Sequence, residues 1–192
     1  KYAQNITPIS DDLVKKAIKI RGSKNKIFFL PIGANVDGIK PLLKDKSRKK
    51  LRLPLEDKIL VYLWVGTYDE ILSAKTFIAL SRIRKDVRLL LLGPKNINEF
   101  YKEFKNQPSF LKKVIHPGIV SRKLLPYYLA AGDVMLIPFA NKEINLGKFP
   151  NKLGDYLAAG RPIAANPTGE VGKLLTKEKV GILAPEDPKE FA

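Results

Sequence analysis

Residues 146–165, Leu-Gly-Lys-Phe-Pro-Asn-Lys-Leu-Gly-Asp-Tyr-Leu-Ala-Ala-Gly-Arg-Pro-Ile-Ala-Ala, gather the groups best suited to receive an anion. Gly147, Lys148, Asn151 and Lys152 cluster where a helix should begin. The orphan N–H groups and partial positive charge of a helix N-terminus suit a phosphate. Pro150 fits the first helical turn, where its missing N–H is no loss. Leu153, Tyr156 and Leu157 share one face at helical spacing. Gly160 predicts a left-handed stop, and Pro162 forbids continuation. One acid, Asp155, lies inside this otherwise small and apolar helix. Taken alone, the stretch is described more simply as a helix packed on a sheet with a solvated acid.

Other chemistry-bearing residues are few. The chain has no cysteine and one histidine, His116, which excludes disulfides, thiolate metal sites and a multi-histidine metal site. His116 falls in a predicted strand, where a lone imidazole reads as structural. Asp69 and Glu70 are adjacent on a turn and point apart, which argues against a catalytic pair. Glu143 lies in the loop before the central stretch and faces a ligand or only water. Gly66-Thr67 precedes a helix and could cradle a phosphate, but it is no G-x-G-x-x-G. No G-K-[ST] loop is present either, which argues against nucleotide hydrolysis.

Composition bounds the class. The chain has 192 residues and 45% hydrophobic content, enough for one good core or slightly more. No apolar run approaches the length of a membrane span, and no apolar segment opens the chain as a signal peptide would. Met135 is the only methionine, so Lys1 reads as an internal residue of a longer protein. The lack of cysteine fits a reducing cytoplasm. Thirty-five Lys and Arg against nineteen Asp and Glu give a net charge of +16. That field favours anionic partners: nucleic acid, anionic lipid or a phosphorylated ligand. No RNA motif with interleaved aromatics appears, which argues against nucleic acid. The dense basic cluster at Lys44, Lys46, Arg48, Lys49 and Lys50 reads either as a solvated helix face or as a membrane-surface patch.

The elements that must position these residues follow from periodicity. Ser10 predicts the cap of a helix that Gly22 stops. Residues 26–31 predict a short buried strand, and residues 32–41 a loop. From Lys58 a regular alternation begins. Apolar strands are expected over 59–65, 87–92, 114–116, 133–137, 162–165 and 180–183. Helices are expected over 73–84, with Phe77, Leu80 and Ile83 on one face, and over 96–104. Another runs from a Ser121 cap to Ala131, with Leu124, Leu125, Tyr128 and Leu129 inward. A last helix begins at Asp187. Such alternation implies an α/β fold, a doubly wound Rossmann-like parallel sheet covered on both faces. Residues 58–192 form that domain, 31–57 read as a linker with a first helix, and 1–30 as the end of a preceding domain.

In an open parallel sheet, ligands bind beyond the carboxyl ends of the strands, near the reversal of strand order. Those ends are Gly66-Thr67-Tyr68, Gly93-Pro94, Pro117-Gly118-Ile119-Val120, Pro138-Phe139 and Asn166-Pro167-Thr168-Gly169. Four of the five carry glycine, which admits a ligand close to the backbone, although short strand-to-helix turns use glycine regardless.

The pieces in order resemble the C-terminal, donor-binding half of retaining glycosyltransferases of family 4, also called glycosyl transferases group 1, with the GT-B fold. Phe29-Leu-Pro-Ile-Gly-Ala-Asn-Val-Asp37 is similar to that family's linker segment, and Leu63-Trp-Val-Gly66 to its first strand end. Residues 118–138 resemble its G-x-V…L-P-x-Y…A-D-V…L-x-P run. Residues 149–162 resemble the P-S-K-x-x-E-Y-x-A-x-G-x-P form of its signature. The resemblance implies that Asp155 replaces the glutamate that binds the ribose hydroxyls. It also implies that the helix near Pro150 meets the diphosphate, that the turn from Gly118 to Val120 contacts the base, and that Lys148, Asn151 and Lys152 line sugar and phosphate. Two positions depart. The family's first signature glutamate falls on Gly147, and its phosphate-binding arginine on Thr67, with Lys75 as the nearest candidate for the usual lysine. The resemblance implies transfer of a sugar from a nucleotide-diphosphate donor, without metal or cofactor, to an acceptor that is lipid-linked or a polysaccharide. The alternatives are a nucleotide-sugar epimerase of similar fold and a non-catalytic nucleotide- or anion-binding domain.

Overall fold

The computed structural model describes residues 3–63, 69–93 and 97–192, apart from the side chains of Asp69, Glu70 and Glu99. In chain order the elements are α1 (Asp11–Arg21), α2 (Lys44–Leu51), β1 (Lys58–Leu63), α3 (Asp69–Ile83), β2 (Val87–Leu92), α4 (Asn98–Glu103), α5 (Pro108–Leu111) and β3 (Val114–Gly118). They continue as α6 (Leu125–Ala131), β4 (Val134–Ile137), α7 (Glu143–Leu146), α8 (Asn151–Ala158), β5 (Ile163–Ala165), α9 (Gly169–Glu178), β6 (Gly181–Leu183) and α10 (Pro188–Phe191). The described strands form one parallel sheet in the order β3-β2-β1-β4-β5-β6. The order reverses between β1 and β4, where Leu60 stands opposite Val134 and Val61 opposite Met135.

Successive strand residues face opposite sides, and both sides are buried, which is why the strands read as continuous apolar runs. Ile59, Val61, Leu90, Leu92, Met135 and Ile137 pack with Leu153 and Tyr156 of α8 on one face. Leu60, Tyr62, Leu89, Leu91 and Leu136 pack on the other, with Phe77 of α3 and Phe100, Phe104 and Phe110 of the α4–α5 region.

At the amino ends of β1 and β4, α2 is stapled to the sheet by one buried arginine. Arg48 Nε donates to Ala131 O at 2.8 Å, and its Nη1 to Leu55 O and Asp57 O, both at 2.8 Å. Its Nη2 meets Asp133 Oδ2 at 2.6 Å, and the same carboxylate accepts from Ile59 N at 2.7 Å and pairs with Lys44 at 2.7 Å. Two of the five cations in the basic cluster are therefore committed to the sheet domain. Lys50 lies over the Tyr127 ring, its ammonium 3.9 Å from the centroid. Lys46 and Lys49 are exposed.

The α1 helix is capped as its sequence predicts. Ser10 Oγ accepts from Leu13 N at 3.2 Å, and Gly22 closes the helix at φ +80°. No residue within α1 is buried. It meets the sheet domain through charge: Asp11 pairs with Lys173 at 2.7 Å, Lys16 pairs with Glu143 at 3.1 Å, and Asp11 N donates to Glu170 Oε1 at 3.0 Å.

Four local expectations need correction. Residues 26–31 are not a buried strand. Ile27 is buried and bridges Ile6 in parallel, but Phe28, Phe29 and Leu30 are exposed, because among the described residues only the segment around Ile6 pairs with them. Ile83 is 70% exposed: six residues at about 100° each carry it roughly 240° round α3 from buried Phe77. Leu124 precedes α6 rather than facing inward from it, and the carbonyl of Ser121, not its hydroxyl, accepts from Leu124 N and Leu125 N. Finally α9 lacks a sequence expectation, because Gly172 interrupts its pattern. That glycine serves close packing: a Cβ there would stand 2.8 Å from the Pro167 carbonyl carbon. Among the described residues no helix is long and apolar enough to cross a membrane.

Candidate functional site

The site is built around the first turn of α8. Pro150 stands just outside the helix as its N-cap, and no side chain caps that end. Leu153 and Tyr156 are fully buried on the inward face. Tyr156 Oη accepts from Leu63 N at 2.8 Å, which pins α8 to the carboxyl end of β1. Burial drives the Tyr156 phenol well above its ordinary pKa, so it stays neutral. Gly154 lets the loop at Ala34 approach: a Cβ there would meet Ala34 Cβ at 3.1 Å.

Lys152 is 4% exposed, and its ammonium lies 4.4 Å from the centroid of the Tyr62 ring at the end of β1. Lys148 places its ammonium 5.2 Å from the centroid of Phe139, just past β4. The two cations thus flank the point where strand order reverses, beside the uncapped N-terminus of α8. All three features favour an anion there.

Asn151 and Asp155 are one turn apart and line a groove of about 650 Å³. Its other walls are the loop at Gly33, Asn35 and Gly38, the turn at Arg122 and Lys123, and the start of α6 at Leu125 and Pro126. Asp155 is half-buried, and burial pushes its carboxyl above the ordinary carboxylate value. No hydrogen bond or ion pair joins its side chain to another described residue. A desolvated acceptor of this kind is satisfied by a ligand that brings hydroxyl or amide donors.

The remaining predicted residues distribute as follows. Gly118 ends β3 at φ +76°, with no atom within 4 Å of a Cβ placed on it, and Val120 follows half-buried. Gly147 closes α7. The atoms nearest its missing Cβ are Asp12 Oδ2 at 3.4 Å and Leu13 Cδ2 at 3.5 Å, so the first turn of α1 fills that space. Asp12 in turn pairs with Lys16 at 3.0 Å. Glu143 pairs with Lys16 rather than facing only water. Lys75 is exposed on α3 and lines a separate depression with Glu186 and Asp187, apart from Asp155. Gly66 and Thr67 lie outside the described residues, as do the side chains of Asp69 and Glu70. Among the described residues no group of three or more His, Cys, Asp or Glu side chains is arranged to hold a metal ion.

Sequence reasoning missed Arg122 and Lys123, although both directly follow a predicted strand-end turn. It also missed Glu170, buried at the start of α9, where it accepts from Asp11 N and pairs with Lys173 at 2.9 Å. Nothing local in the sequence signals Glu170, since its partner is 159 residues away.

Fold and site define a doubly wound α/β domain with a cationic crevice at its topological switch point. The chain belongs to the glycosyl transferases group 1 family, whose model matches residues 60–192. A Bacillus subtilis protein, TuaH, named as a glycosyltransferase of teichuronic acid biosynthesis, is 31% identical over 64 residues, covering 33% of this chain and 16% of that protein. Among solved structures, the Anabaena protein Alr3699/HepE in complex with UDP-glucose superposes with a TM-score of 0.78 at 17% identity, over 100% of this chain and 53% of its own. Sucrose-phosphate synthase from Thermosynechococcus elongatus superposes with a TM-score of 0.64 at 22% identity, over 96% of this chain and 46% of its own. The chain therefore spans about half the length of these solved proteins.

Proposed function

We propose that this chain is the donor-binding, C-terminal half of a retaining GT-B glycosyltransferase that moves a sugar from a nucleoside-diphosphate donor to an acceptor. In this reading residues 58–192 are the donor domain, 31–57 the interdomain linker, and 1–30 the end of the acceptor-side domain. The observation that carries it is Asp155, a desolvated carboxylate without a partner among the described residues, one turn inside an uncapped helix N-terminus that also bears the buried Lys152. An ionised carboxylate only accepts hydrogen bonds, which suits the two vicinal hydroxyls of a ribose. The N-terminus of α8, with Lys148, Asn151 and Lys152, then meets the diphosphate and sugar. The turn from Gly118 to Val120 meets the base. The complex of Alr3699/HepE with UDP-glucose supports a nucleotide sugar as the ligand.

Helix dipole and lysines stabilise the charge that develops on the leaving diphosphate, so the reading calls for no metal. A lipid-linked or polysaccharide acceptor at a cytoplasmic membrane face completes it. The name of the Bacillus subtilis relative, a glycosyltransferase of teichuronic acid biosynthesis, supports the transfer reading.

A thermal-shift panel of UDP-, GDP-, ADP- and dTDP-sugars in EDTA tests the donor reading. One of them at about 100 times its Kd should stabilise the fold by about 2.7 kcal/mol, raising the midpoint by roughly 5–10 °C. Asp155→Ala should abolish that rise, and an unchanged rise in the variant would sink the ribose assignment. A second reading, nucleotide binding without turnover, is favoured by Gly147, which brings no carboxylate into a space that α1 fills. Donor binding with neither transfer nor hydrolysis by the intact protein would support that second reading.

A further inference from the structure

The ladder between β2 and β3 breaks where the crevice begins. Leu90 pairs with Ile115, but Leu92 pairs with Gly118, so β3 gains one residue across His116 and Pro117. Such a bulge leaves ladder groups without their regular partners, and Pro117 has no N–H to offer. A side chain closes the gap. His116 Nε2 donates to Gly93 O at 2.8 Å, while Gly93 N donates to Gly118 O at 3.1 Å. Both glycines hold positive φ, +116° at Gly93 and +76° at Gly118, which other residues rarely adopt. Side-chain packing holds this turn at its far end, where half-buried Val120 meets the core, and not at Gly118 or Ile119. A Cβ at Gly118 would meet nothing within 4 Å, and Ile119 is 73% exposed. The position of its near end therefore rests on backbone hydrogen bonds, and Gly93, whose N–H makes one of them, is itself held at its carbonyl by the imidazole.

We propose that His116 is a positioning residue for nucleotide binding: its ring N–H holds Gly93, and through it the Gly118–Val120 turn, from which the chain runs on to Arg122 and Lys123 in the groove that holds Asp155. This rests on the donor reading above. The chemistry suits histidine at a bulge. A carbonyl acceptor demands a donor, and Nε2–H is present both in that neutral tautomer and in the imidazolium, so the clamp survives protonation. Arg122 and Lys123 leave the same turn, so their reach into the groove depends on the clamp too.

Two near-isosteric variants of the whole chain, H116Q and H116E, separate a donor from a mere filler. At pH 7.5 the glutamine can donate to Gly93 O and the glutamate cannot. Isothermal titration with UDP should find H116Q within about threefold of the unmodified chain and H116E about tenfold weaker, as loss of one hydrogen bond implies. Thermal midpoints of both variants, read alongside, show whether each is folded. Equal affinity of the two folded variants would overturn the clamp and leave the donor reading standing. A chain that binds none of UDP, GDP or ADP would overturn both. Because the chain has a single histidine, its ring resonances can be assigned without ambiguity. In the unmodified chain they should report the Nε2–H tautomer and move, with the Gly118 amide, on UDP saturation. Static resonances under saturation would overturn the clamp even if neither variant folds.

Discussion

Asp155 shows the tension between binding and stability at a single residue. Its carboxyl is raised by desolvation, so in the folded chain its ionised form is disfavoured relative to the unfolded chain. The sign follows. The group favours folding when protonated, and that contribution is lost as pH rises through the raised value. Asp155→Asn, permanently neutral, should therefore raise the thermal midpoint at pH 7, and the gain over the unmodified chain should shrink towards pH 4. A midpoint that falls at pH 7 would show that the carboxylate has a stabilising partner. The same substitution should weaken donor binding, because an amide offers one acceptor oxygen where the carboxylate offers two. Gly147 marks the opposite case, a residue with no side chain whose vacant direction already holds the Asp12 carboxylate.

Among elements, α2 illustrates how charge that looks like surface becomes structure. Arg48 is fully buried and donates to three carbonyls as well as to Asp133. Removing one partner of such a buried network costs about 3–5 kcal/mol, whereas an exposed pair contributes about 1 kcal/mol or less. Arg48→Ala should therefore lower stability by about 3–5 kcal/mol in urea titrations, and Lys44→Ala by no more than about 1 kcal/mol. Equal losses would refute this division of labour. Burial alone would raise the Asp133 carboxyl. Hydrogen bonds from Lys44 and Ile59 N, with the charge of Arg48, outweigh it and hold the group below its ordinary value. Its stabilising contribution is present at neutral pH and is lost as pH falls through that lowered value. The strands and most helices were legible because apolar runs alternate with turn residues, and β2 falls on residues 87–92 as its pattern predicts. The failures have physical causes. Arg48 cannot be told from its lysine neighbours without its carbonyl partners, Ile83 lies off the helical period, and Gly172 conceals α9 by serving a contact with Pro167.

At the scale of the whole molecule, the net charge of +16 still acts on partners once internal pairs are set aside. Lys46 and Lys49 are exposed, while Lys44 and Arg48 are bound to Asp133. If α2 meets an anionic lipid surface, Lys46 and Lys49 carry the contact. Replacing both by alanine should weaken co-sedimentation with phosphatidylserine vesicles by about 2 kcal/mol, or roughly thirtyfold, and added salt should weaken it further. Loss on Lys44→Ala alone, with the double variant unaffected, would refute that surface. The candidate site was legible only in part at this scale. Asp155, Asn151, Lys148 and Lys152 stand within one short stretch and could be read together, but the groove's far wall comes from the loop at residues 32–39 and from the turn that leads into α6. The seam between α1 and the sheet domain has a further consequence. It joins Asp11 to Lys173 and Lys16 to Glu143, with no residue of α1 buried. Parting it would expose little apolar surface and so change the heat capacity little. Its opening should respond to ionic strength far more than to temperature, so dilute buffer closes this seam and salt loosens it.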